Sequence, residues 1–274
     1  MNFDIAKAKE LDDRLGFADH ALAVFYTDDK PADAIHPQSG IVPREENLKD
    51  GTFDWDTSEK IYPCVLAYVR RTRRSGVTSY FDSDHFGCPG GGCYLGLAEM
   101  SPMVPYFVST GKEGLFEGER LVKSPELVRR FVKEWNIQKA PKKYCVIKRI
   151  DKLAPGEEPE VLVFFGHADP LSGLMNLVNF ASEDWNSVIA PFGAACGTIV
   201  LFPLQEAKSE KPRAVLGSFD IAARPFVEPD YMSLALPRPL HDKVLAEIDN
   251  AFLNTRSWKR VIKRVEFRRK RDAD

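Results

Sequence analysis

The chain predicts an α+β fold, with mixed sheet or sheets flanked by helices in a single globular unit. Strand-like and helix-like segments follow one another without strict alternation, which argues against a regular parallel α/β array. The 274 residues are 44% hydrophobic and 28% charged. That balance and length support a buried core without disulfide staples. No self-similarity appears at solenoid spacing.

The elements are predicted in order. Residues 4–15 form a charged helix ending at Gly16, with Ile5, Ala8, Leu11 and Leu15 on one face. A strand covers 21–26. Residues 28–58 are rich in Pro, Asp, Gly and Asn and lack helical periodicity, so they predict a lobe inserted in a domain spanning 1–255. A helix is expected over 59–74, with Pro63 near its start, Cys64 in its first turn and a basic end, Arg70 to Arg74, before Gly76. A strand over 77–81 then delivers the chain to a loop.

Ser124, Pro125 and Glu126 signal the start of a helix running to 135. Strands follow over 143–150 and 160–166, separated by the turn Pro155-Gly156. A helix over 170–182 is capped by Asp169. Residues 193–204 carry an apolar run that fits a strand through Ile199 and Val200 and equally a buried helix. Strands are expected over 214–219 and 232–236, then helices over 239–253 and 256–267. The segment 256–274 is set apart as a basic C-terminal helix or tail.

The densest chemistry lies at 86–97, Phe-Gly-Cys-Pro-Gly-Gly-Gly-Cys-Tyr-Leu-Gly-Leu. Cys88 and Cys93 flank Gly90, Gly91 and Gly92. Cys64 and Cys196 also fall at a helix start and an Ala/Gly-rich joint, positions where a thiol can be aimed. Thiolates suit zinc or an iron–sulfur cluster, so Cys64, Cys88, Cys93 and Cys196 are the candidate ligands. If only three of them bind, one metal position stays open, which suggests chemistry rather than structure. Cys145, inside a strand, reads as a core residue. The three glycines read either as an anion nest before a helix or as a tight turn under close packing. No P-loop or dinucleotide fingerprint is present. His85, beside Asp82 and Asp84, reads either as a further ligand or proton carrier or as part of a solvated loop. His167, at a strand end, is a ligand-binding candidate as well.

These pieces come in an order that resembles the prokaryotic family known as domain of unknown function 169. Leu15-Gly16-Phe17 with the strand from Leu22 to Tyr26 is similar to the family's opening helix and strand. Tyr62-Pro63-Cys64 is similar to its first cysteine. The stretch 84–97 is similar to its acidic, Cys-Pro-Gly-Gly, Leu-Gly-Leu signature. Residues 161–166 and Ala194-Ala195-Cys196 are similar to its later strand and cysteine step. The resemblance spans most of 10–240 and implies sites rather than a reaction. Two departures stand out. A late Cys-Ser-Gly-Asp-Arg block is replaced by Gly217-Ser218-Phe219-Asp220 with Arg224 displaced, and Cys93 occupies a position that is often not cysteine in relatives.

Two functions therefore remain open. One is metal or iron–sulfur binding, the other a non-catalytic module that binds a small anion while the cysteines merely pack. The first twenty residues lack a signal-peptide apolar core, so a cytoplasmic protein is expected, and its five cysteines are then expected to stay reduced. A formal charge of -2 argues against nucleic acid as the main partner, and the apolar runs are too short to span a membrane. The basic C-terminal segment can touch nucleic acid, acidic lipid or an acidic partner, although a solvated face docked by its apolar side is favoured. Tyr106 and Phe107 are expected to be exposed and available to a homo-oligomer.

Overall fold

A seven-stranded sheet forms the centre of the computed structural model, which describes residues 3–38 and 63–273. Helix α1 (Ile5–Leu15) opens the chain. The Asp4 carboxylate caps it by accepting the Lys7 N–H at 2.9 Å, and Gly16 closes it at φ 74°, a conformation glycine adopts without Cβ strain. Strand β1 (Leu22–Thr27) follows and is buried on both faces through Tyr26. Helix α2 (Val65–Ser75) and strand β2 (Ser79–Phe81) come next. Two short helices, α3 (Pro89–Tyr94) and α4 (Val104–Val108), precede a two-stranded ribbon, β3 (Gly111–Lys112) with β4 (Phe116–Glu117). Helix α5 (Pro125–Glu134) is capped as its sequence predicts, with Ser124 accepting the Leu127 N–H at 3.3 Å.

The second half supplies β5 (Tyr144–Arg149), β6 (Val161–Gly166), α6 (Ala168–Ser182) and β7 (Val188–Ile189). A π-wound segment, Gly197–Leu201, runs into α7 (Phe202–Glu206). The chain closes with β8 (Ala214–Gly217), β9 (Met232–Pro237), α8 (Arg238–Glu247) and α9 (Arg256–Ala273).

The strand order is β2-β5-β1-β6-β9-β8-β7, antiparallel throughout except for β7 beside β8. Alternation along the strands divides the core into two layers. Ala23, Phe25, Val146, Leu162, Phe164 and Leu234 face α1, α6, α8 and Trp258 of α9. Leu22, Val24, Ile147, Val163, Phe165 and Ala235 face α2, Tyr94 and the helical stretch around Cys196. The α+β class with a mixed sheet and flanking helices is thus the observed one.

Several local expectations change. Helix α2 begins at Val65, and Cys64 is its extended N-cap at φ -62°, ψ 135°. Pro63 lies before the cap because its carbonyl accepts the Cys88 N–H at 3.1 Å, tying it to the neighbouring loop. Helix α6 starts at Ala168 with His167 as N-cap, so Asp169 is in the first turn instead of capping. The apolar run is helical from Ala195 onward, and Ile199 and Val200 are buried within it. The stretch Pro89–Tyr94 is a helix rather than a loop. Tyr106 and Phe107 are half-buried, and Tyr106 lies against Lys112 and Arg129. Helix α9 runs to Ala273 and docks by Trp258, whose indole covers Gly173 and donates to the Arg14 carbonyl at 3.1 Å. Of the expected inserted lobe at 28–58, residues 39–58 lie outside the described residues. Ile35 forms a bridge to Ser79.

Candidate functional site

Three of the four predicted cysteines meet on the α2 side of the sheet. Cys64 and Cys88 are the N-caps of α2 and α3, and their thiols hydrogen-bond to each other. Cys196, already helical and leading into the π-wound segment, is near enough for its charge to act on Cys64. The π-wound backbone is a rare geometry that recurs at functional sites.

The electrostatics of the trio are uneven. Hydrogen bonding from Cys64 draws the Cys88 thiol down to about 7 against the opposing effect of burial. The Gly91 N–H, 3.3 Å from Cys88 Sγ, and the Val65 N–H add to the lowering. The same contact pushes Cys64 well above the ordinary thiol range, with burial adding to it. Burial raises Cys196, and the charges of Cys88 and Asp220 raise it further. These two-proton equilibria belong to the coupled thiols rather than to one residue.

Asp220 completes the group, and the sequence reading did not assign it. Its Oδ2 accepts the Ala195 N–H at 2.9 Å and its Oδ1 the Ala222 N–H at 3.0 Å. Those bonds fix the carboxylate at the start of the helix that carries Cys196. Burial raises its pKa, and its charge acts on Cys88, Cys196 and Tyr94. Its signal in the sequence is the acidic residue of the late block Gly217-Ser218-Phe219-Asp220.

Cys93 stands apart. It is buried in α3, and burial alone raises it to about 11, with no thiol or charged neighbour contributing. Five helical residues after Cys88 turn its side chain roughly 140° away from that thiol. Cys145 is core, as expected, raised to about 12 chiefly by burial.

The glycines serve packing and capping. A Cβ on Gly91 overlaps Val65 Cγ2, and one on Gly92 falls 2.5 Å from the Phe86 ring, whereas Gly90 faces open space. The Gly91 N–H is engaged by Cys88 Sγ and the Gly92 N–H by the Cys88 carbonyl at 3.0 Å. They therefore do not form a row of N–H groups turned toward an anion. Gly197 has a similar role, since a Cβ there meets the Tyr94 ring at 2.7 Å.

Neither histidine joins the thiols. His85 Nδ1 is 2.9 Å from Asp82 Oδ1, and its ring meets His36 edge-on at 4.5 Å. Asp82 Oδ1 also accepts the backbone N–H groups of Asp84 and His85, so this imidazole belongs to a local turn. His167 lies against Tyr231, ring centroids 4.4 Å apart, in a separate cavity of about 290 Å³ that Arg268 and Arg269 also line.

Among the described residues, no three His, Cys, Asp or Glu side chains stand close enough to enclose a single metal ion. No helix among them is long and apolar enough to cross a membrane. No match emerges among curated proteins or among solved structures. A family model does match, that of domain of unknown function 169, described as an uncharacterised ArCR, over residues 10–247. That span contains Cys64, Cys88, Cys196 and Asp220 together with every strand of the sheet, and the chain belongs to the domain-of-unknown-function-169 family.

Proposed function

We propose that Cys64, Cys88 and Cys196 hold an iron–sulfur cluster or zinc, with Asp220 at the edge of the site. The observation that carries this reading is the meeting of three thiols from three helix starts on one partly buried spot. The donor set fits the group: soft sulfur ligands, one of them already favoured as thiolate and bonded by a main-chain N–H. With Cys93 turned away, three thiolates leave one position for Asp220 or an incoming ligand. The bound group supplies electron transfer or Lewis acidity. The chain's residues orient it, and α2 and the sheet exclude water from one side. This chemistry suits the reducing cytoplasm, where five free cysteines persist as thiols.

Anaerobic purification or reconstitution, an ultraviolet–visible spectrum, and iron, sulfide and zinc analysis test the reading. Cys64→Ser, Cys88→Ser and Cys196→Ser each lose the metal, while Cys93→Ser and Cys145→Ser keep it. Metal content that is absent in the wild type, or equal in all five variants, overturns it.

A second reading rests on the Cys64–Cys88 hydrogen bond. A thiolate beside a protonated thiol is the arrangement of a dithiol couple. Here the Cys88 thiolate attacks a disulfide-bearing partner and releases one thiolate. Cys64 then displaces the second as the internal disulfide forms. Metal-free protein that gains one Cys64–Cys88 disulfide on incubation with oxidised glutathione supports it, and two thiols left unchanged exclude it.

A further inference from the structure

Helix α9 lies outside the family match and carries nine Lys or Arg residues against Glu266 and Asp272. Its formal charge is +7 in a chain of net -2, so the remainder carries -9. The apolar side is already occupied, because Trp258 and Val265 are buried against α1 and α6. The opposite side is a solvent-facing ridge. Arg256, Lys259, Arg260, Lys263 and Lys270 are all exposed along it, and none makes an ion pair among the described residues. At 100° per residue, Phe267 falls between Arg260 and Lys263 in projection, and it is 70% exposed. On one flank an open groove of about 1080 Å³ is lined by Arg256, Lys259 and Lys263 together with Asp13, Arg14 and Glu266.

We infer that this ridge docks the protein on an anionic lipid bilayer, with the cations on lipid phosphates and Phe267 in the interfacial layer. Charge complementarity names a polyanion as the occupant, and shape selects the bilayer. The cationic stretch from Arg256 to Lys270 is a straight rod of roughly 20 Å at the α-helical rise. A plane meets all of its cations at once, whereas the phosphates of a duplex curve away from a straight tangent. An exposed aromatic centred among cations gains by entering an interface, and a duplex backbone offers it no apolar surface. Lys and Arg near an anionic surface act additively. The negative remainder of the molecule opposes docking weakly, because its charges are screened beyond roughly 8–10 Å at physiological salt.

Co-sedimentation of the full chain with vesicles tests the inference. Phosphatidylcholine–phosphatidylglycerol vesicles bind the protein at low salt, and pure phosphatidylcholine vesicles do not. The double variant Arg260→Glu, Lys263→Glu weakens binding by about tenfold or more. Phe267→Ser weakens it several-fold at equal salt. All substituted side chains are exposed, so folding is preserved, which circular dichroism checks. No binding to the anionic vesicles, binding unchanged in the double variant, or release of vesicle-bound protein by a small excess of duplex DNA would each overturn the inference. The last outcome would identify nucleic acid as the ridge's partner.

Discussion

Adjacent glycines in one short helix offer a paired test of how the thiol site is built. Gly90→Ala places a methyl group where nothing lies within 4 Å. Removing glycine's backbone entropy from a helix is then neutral to stabilising, by up to about 1 kcal/mol. Gly91→Ala places the same methyl group on Val65 Cγ2 and 3.3 Å from Cys88 Sγ. Val65 is fully buried in the first turn of α2. Overpacking of this kind costs about 1–3 kcal/mol, which exceeds the helix-propensity gain. At roughly 2–4 °C per kcal/mol for a chain of this size, Gly91→Ala loses several degrees of Tm while Gly90→Ala holds or gains a few. The same displacement separates the caps of α2 and α3, so the Cys64–Cys88 contact loosens. Thermal melts combined with thiol alkylation across pH read both effects. If Gly91→Ala melts with the wild type and keeps its alkylation profile, the glycine is not the packing joint of the two caps, and the reading of the loop as an anion nest regains its place.

Other consequences are open to measurement. Alkylation of wild-type Cys88 should follow a midpoint near 7, and Cys64→Ala should move it upward because the main source of lowering is removed; an unchanged midpoint refutes the thiol–thiol bond. His241 is buried between Phe3 and Phe164 and held neutral by burial, down to about 3. Its native pKa lies below its unfolded one, so its neutral form favours folding above about 6.5, and that contribution is lost as pH falls toward 3. The loss at pH 5 is about 2 kcal/mol, and His241→Phe should flatten urea-melt stability between pH 7 and 5 by that amount. Arg73, 3% exposed, pairs with Asp19 and Glu228 and lies against the Phe165 and Tyr231 rings. Arg73→Ala strands Asp19 and leaves Glu228 only the Arg70 contact at 3.7 Å, and should cost about 1–3 kcal/mol in chemical denaturation; a loss below about 1 kcal/mol refutes the pairing as a structural element.

Local signals carried much of the fold into the sequence. Gly16 and Ser124-Pro125 mark helix ends by chemistry that needs no tertiary context, and the structure uses both as expected. The long apolar strands β1, β5 and β6 were legible because burial on both faces leaves continuous apolar runs. The stretch around Ile199 was ambiguous because a helix buried on every side has no polar face to reveal its period. Ribbon β3–β4 contains two residues per strand, too few for alternation to register. At the site, Cys64, Cys88 and Cys196 were legible as thiols at turns. Cys93 stands apart from these three because the glycines belong to a helical turn that rotates it away. Asp220 was missed because its role depends on the Ala195 N–H, twenty-five residues away in sequence.

Strand β1 has a consequence for biosynthesis. It emerges early, yet its partners β5 and β6 follow only about 120–140 residues later. At ~5–20 residues per second, translation leaves Leu-Ala-Val-Phe-Tyr without either neighbour for roughly 6–24 s. A short uncharged β-prone segment with both edges open is a template for wrong pairing. The nascent chain therefore has reason to engage a holding chaperone before β5 appears. On the proposed assignment, a cofactor held by Cys64, Cys88 and Cys196 is loaded only after Cys196 has been made, some way beyond β5.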